Sequence, residues 1–156
     1  SYINKLNMLP DTLKLLVIDC WDIIHEIDKL PKSLEILRMR CVNIFNKRLD
    51  NLPKSLKEFT LVGDDFNQKL NNLAKSLKIL VIVSKRFNRV VNELPKGLKE
   101  LIIYSYKFNE KVEKLPKNLK RLTIYSDKFD KKINKLPKSL EKIKISKITA
   151  EHEDLE

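Results

Sequence analysis

The chain has 156 residues and a formal net charge of +11, with 34% charged and 42% hydrophobic residues but only two glycines. That composition excludes collagen-like and flexible-linker classes and leaves enough apolar material for the core of one domain. No apolar run approaches the roughly 18 residues of a membrane-spanning helix, no secretory leader is recognisable and no Asn-x-Ser/Thr sequon occurs.

Charge is unevenly spread. Glu151, Glu153, Asp154 and Glu156 crowd the C-terminus, so the body carries 32 basic against 17 acidic residues, or +15. Such a body attracts anionic partners: acidic proteins, nucleic acid or a membrane surface.

A five-residue marker, Leu-Pro-Lys-Ser-Leu, organises the chain. A divergent copy starts at Leu9 (Pro10, Asp11, Thr12, Leu13). Unchanged copies start at Leu30, Leu52 and Leu136; Leu73 brings Ala74 for proline, Leu94 brings Gly97 for serine, and Leu115 brings Asn118. The marker leucines are spaced by 21, 22, 21, 21, 21 and 21 residues. That regularity is the signature of a solenoid, in which one unit cannot bury its apolar side chains but stacked units can.

Each unit predicts one short strand. Apolar residues stand seven and nine positions after the marker in the pairs Leu16/Ile18, Leu37/Met39, Phe59/Leu61, Leu80/Ile82, Leu101/Ile103, Leu122/Ile124 and Ile143/Ile145. A separation of two is the period of a strand facing one way. Val17, Thr60, Val81, Ile102 and Thr123, which lie between them, are β-branched, as strands prefer. The return half of each unit carries Phe45, Phe66, Phe87, Phe108 or Phe129, followed by Asn46, Asn67, Asn88, Asn109 or Asp130. An apolar residue follows at Leu49, Leu70, Val91, Val112 or Ile133. Proline in the marker suits a corner more than a helix, so extended or 3₁₀ return segments are expected. The extra residue of the 22-residue unit predicts a bulge near Cys41 to Asn43.

The expected fold is therefore a β-rich solenoid, a right-handed, leucine-rich-repeat-like coil with a parallel sheet on one face and little regular helix. About seven repeats span 1–148, and 149–156 form an acidic tail.

The Phe-Asn pair, the apolar residue three on, and Leu-Pro-x-Ser-Leu-x-x-Leu together resemble the FNIP repeat. Full stretches run from Phe45-Asn46 to Leu61 and from Phe108-Asn109 to Ile124. The likeness extends over residues 2 to 145. Tyr2-Ile3 and Ile23-Ile24 depart from Phe-Asn, and Arg48, Lys69, Val90, Lys111 and Lys132 stand where the family has proline. The resemblance implies a leucine-rich-repeat variant of a kind abundant in social amoebae and in the giant viruses that infect them. It also implies protein–protein interaction, intracellular and cytoplasmic, with substrate capture for a ubiquitin ligase where an F-box accompanies the repeats; no F-box is visible here. It implies no catalysis and no cofactor.

The residues point the same way. His25 and His152 are far apart, and there is no His-x-x-x-His, Cys-x-x-Cys or Gly-rich phosphate loop. Asp64-Asp65 reads as a polar turn. Trp21 reads as an edge cover. Neither a catalytic nor a metal-ligand set is expected. Cys20 and Cys41 share one column of adjacent units, about 5 Å apart if stacked, within disulfide reach. A reducing compartment keeps such a pair as thiols. The column Lys32, Lys54, Lys75, Lys96, Lys117 and Lys138 reads as a solvated turn, with an anion-binding stripe as its alternative. Asn46, Asn67, Asn88, Asn109 and Asp130 read as an internal structural ladder, with buried amides satisfying backbone groups between coils.

Function then resides where the repeats differ: the outward strand columns six, eight and ten residues after each marker. Their centre is apolar (Ile79, Val81, Val83, Ile102, Tyr104, with Tyr125 beside it), and Arg38, Arg40, Lys142 and Lys144 flank it. This predicts an exposed patch for a protein partner with an acidic rim. The alternatives are β-propensity filling of a sheet, self-association through the same face, and an electropositive surface for nucleic acid or phosphate groups.

Overall fold

The computed structural model describes residues 6–20, 27–42 and 45–149. Tyr2-Ile3, Trp21, Ile23-Ile24, His25, His152 and the acids of the tail lie outside the described residues.

Seven strands form one sheet in chain order: β1 (Leu15–Cys20), β2 (Ile36–Cys41), β3 (Glu58–Val62), β4 (Ile79–Val83), β5 (Glu100–Tyr104), β6 (Arg121–Tyr125) and β7 (Lys142–Ser146). Every neighbouring pair is parallel. The register runs from marker to marker: Leu16, Leu37, Phe59, Leu80, Leu101, Leu122 and Ile143 stand side by side. The 22-residue unit keeps this register. Cys41 belongs to β2, opposite Cys20, and is not part of a bulge; Asn43 and Ile44 lie outside the described residues. The return segments hold 3₁₀ turns at Leu6–Met8 and Ile27–Lys29 and otherwise no regular structure among the described residues.

Each marker is a tight turn. The leucine N–H donates to the carbonyl three residues back, Leu34 to Pro31 and Leu98 to Pro95 among them, in all seven coils at 3.0–3.3 Å. Leu77 makes the same bond to Ala74 (3.1 Å), so proline pre-sets the corner but does not create it.

The core is the sum of the repeat columns. Leu34, Leu37, Phe59, Leu61, Leu80, Ile82, Leu98, Leu101, Ile103, Leu119, Leu122 and Ile124 are buried. Phe45, Phe66, Phe87, Phe108 and Phe129 stack with ring centroids 5.8–6.2 Å apart. Strands lie only about 4.8 Å apart. The nearly parallel rings therefore overlap with an offset from coil to coil. In the seventh coil, which no described coil follows, the same columns are open: Ile143 is 42% and Ile145 43% exposed.

Three polar columns join the coils. The Asn67 N–H donates to Asn46 Oδ1 (2.8 Å), Asn88 to Asn67 (3.0 Å), Asn109 to Asn88 (2.9 Å) and Asp130 to Asn109 (3.1 Å). These rungs are half-exposed rather than internal, and Asn46 is exposed. The marker serines form a second column: the Ser33, Ser55, Ser76 and Ser139 hydroxyls donate to the carbonyls of Leu13, Leu34, Leu56 and Leu119 at 2.6–2.7 Å. The third column is buried. Ser84, Ser105 and Ser126 donate to the Phe66, Phe87 and Phe108 carbonyls, each at 2.8 Å. Gly63 occupies this column in β3's coil, where a Cβ would stand 3.3 Å from the Cys41 carbonyl oxygen.

Candidate interaction face

The outward columns of the sheet differ from the sequence reading in one respect. Val83 is 5% exposed and Tyr104 is fully buried, so neither belongs to an exposed patch. Both close their strands on the outward column, yet neither joins the interior cluster of the coils. Tyr104 is covered by its neighbours: the Tyr106 ring meets it edge-on at 6.0 Å, and the Tyr125 ring lies tilted against it at 6.1 Å. Alternation along a strand gives the side a residue faces. It does not give the shielding that adjacent large rings supply when strands pack this closely.

What remains accessible is a half-buried apolar stripe. Ile79 and Val81 of β4, Ile102 of β5 and Tyr125 of β6 are partly exposed, as are Ile36, Thr60 and Val62. Register sets Val81 beside Ile102 and Tyr104 beside Tyr125. At the β1 edge, Leu15 (45%) and Val17 (55%) are more open than the centre.

The flanking cations are exposed but not equivalent. Arg38 is 4.0 Å from Glu58. Lys144 places its ammonium 5.1 Å from the Tyr125 ring centre, a cation–π contact. Arg40 and Lys142 extend the basic margin. Glu100 pairs with Arg121 at 2.6 Å, and this partner holds the guanidinium more firmly protonated than usual. The face is thus apolar in the middle, with an acid–base pair inside its margin and net positive ends.

The marker edge carries its own charges. Lys32, Lys54, Lys75, Lys96, Lys117 and Lys138 are all exposed. Beside them Glu35 bridges Lys14 (3.3 Å) and Lys57 (2.6 Å) across three coils. Hydrogen bonds from Lys57 and then Lys14 hold its carboxyl below the usual carboxylate range. Glu141 is lowered in the same way by Lys120.

Among the described residues no group of three His, Cys, Asp or Glu side chains could hold a metal ion. None of their helices is long and apolar enough to cross a membrane.

Residues 108–147 match the family model of the FNIP Repeat. No curated protein matches the chain. Among solved structures, a circular LRR protein from a giant virus, CroV588, superposes with a TM-score of 0.53 at 23% identity, over 94% of this chain and 29% of that one. The chain therefore spans less than a third of that neighbour's length, and the likeness is one of fold. With one marker register running through all seven strands, the chain is a leucine-rich-repeat-like β-solenoid whose residues 108–147 match the FNIP repeat.

Proposed function

We propose that the chain is a protein-binding scaffold, not an enzyme, and that the outward strand face is its contact surface. One observation carries the proposal: Ile79, Val81, Ile102 and Tyr125 make a partly exposed apolar stripe across three adjoining strands, where the repeat itself demands no apolar residue. Contiguous apolar surface rimmed by charge is the usual mark of a contact site. Arg38, Arg40, Lys142 and Lys144 at its margins steer a partner whose rim is acidic. The resemblance to FNIP proteins extends the proposal: joined to a ubiquitin ligase in the cytoplasm, this face would be a substrate receptor.

A photo-crosslinking residue placed at Val81, and separately at Val90 on the exposed return side, tests the assignment. Crosslinking of one defined protein from Val81 and not from Val90 is expected. Equal crosslinking from both, or from Val90 alone, rejects the strand face.

A further inference from the structure

Two departures from the marker fall in neighbouring coils on one edge. Ala74 replaces a proline that the other six markers keep, and Gly97 replaces the serine found at Ser33, Ser55, Ser76 and Ser139. Those serine hydroxyls tie each coil to the carbonyl of the coil before it. Gly97 has no such group. The Lys78 ammonium fills the gap, 2.8 Å from where a Cβ would stand.

A cavity of about 710 Å³ opens at this break, spanning three coils. It is lined by Leu73 and Leu94, by the lysines Lys54, Lys75 and Lys96, and by Gly97. Asn72, Glu93 and Asp50 add polar and acidic groups to the lining. Asp50 is already engaged, by Arg48 at 2.6 Å and by the Asn72 amide at 3.0 Å. Lys54 is held in place, donating to the Asn72 carbonyl at 3.1 Å. Among the described residues no acid pairs with Lys75, Lys78 or Lys96. Lys75 and Lys96, each without a paired acid at this recess, suit a multiply charged anion, and lysine binds phosphate as a point charge. The volume lies within the range of small-molecule sites.

We propose that this cavity binds a small organic phosphate. The phosphate sits among the ammonium groups of Lys75 and Lys96, and an attached ring lies against Leu73 and Leu94. This site is separate from the strand face and stands or falls independently of it.

Calorimetric titration of the full chain with ATP, tripolyphosphate and adenosine tests the proposal. ATP is expected to bind saturably with one site, at least tenfold more tightly than tripolyphosphate, which lacks the ring; adenosine gives no measurable heat. Gly97→Ser restores the repeat's own residue and is expected to weaken ATP binding at least tenfold while leaving Tm unchanged or higher. Lys75→Gln/Lys96→Gln gives the same loss, whereas Lys32→Gln/Lys138→Gln, on the same column but away from the cavity, stays within twofold. No saturable ATP binding at millimolar concentration overturns the site. So do equal losses in the two lysine pairs, which would show diffuse charge attraction, and equal affinities for ATP and tripolyphosphate.

Discussion

Asn88 Oδ1 accepts the backbone N–H of Asn109, one full coil further on, at 2.9 Å. The Asn88 N–H makes the same bond backwards to Asn67. The side chain thus does between coils what a ladder carbonyl does between strands. Asn88→Ala would strand the Asn109 N–H at a part-buried position and is expected to cost about 1–3 kcal/mol. Asn88→Asp retains an acceptor and should cost less. Urea unfolding of the three proteins checks the order.

The buried serine column predicts a loss of its own. Ser105 is fully buried, donates to the Phe87 carbonyl and accepts the Lys107 N–H at 3.4 Å. Ser105→Ala removes both bonds and leaves the carbonyl to find another donor, so about 1–3 kcal/mol of stability should be lost. Ser105→Cys keeps the size but only a weak donor, and should fall between.

Core and surface separate within one marker. Leu98 is fully buried and Lys96 is exposed. Leu98→Ala opens a cavity between stacked coils and should cost about 2–5 kcal/mol. Lys96→Ala should change stability by no more than about 0.5 kcal/mol. Melting curves showing equal losses would contradict the assigned register.

Glu35 predicts a pH dependence. Its carboxyl is lowered from 4.5 by Lys57 and Lys14, so in the folded state it binds its proton less readily than in the unfolded chain. The stabilisation is therefore present above the unfolded value and disappears as pH falls through the lower, folded one. The Tm gap between wild type and Glu35→Gln should be open at pH 7, close progressively below about pH 4.5 and narrow with added salt, because the side chains are partly exposed.

Much of this architecture was legible in the residues. The leucine columns, the strand in each unit and the Phe-Asn stack follow from apolar spacing, because a coil that repeats in space must repeat in sequence. The two serine columns were not read, although Ser84, Ser105 and Ser126 share one position and Cys41 and Gly63, also small, share it in other coils. Apolar periodicity cannot flag a polar residue whose partner is a backbone carbonyl 18 to 21 residues away. The burial of Tyr104 was missed for a different reason. It depends on Tyr106 and Tyr125 closing over one ring, a contact set by side-chain volume and not by alternation.

The strand face remains the central claim, and affinity is its most direct measure. Binding of the crosslinked partner, once identified, should be titrated against wild type and against Ile102→Glu/Tyr125→Ala. Both side chains are partly exposed on the outward columns, so the fold should persist, with a loss of Tm limited to uncovering Tyr104. The account predicts that the double variant loses at least about 2 kcal/mol of binding, as expected when a hot-spot aromatic and its apolar neighbour are removed. Undiminished affinity in a folded double variant would contradict it.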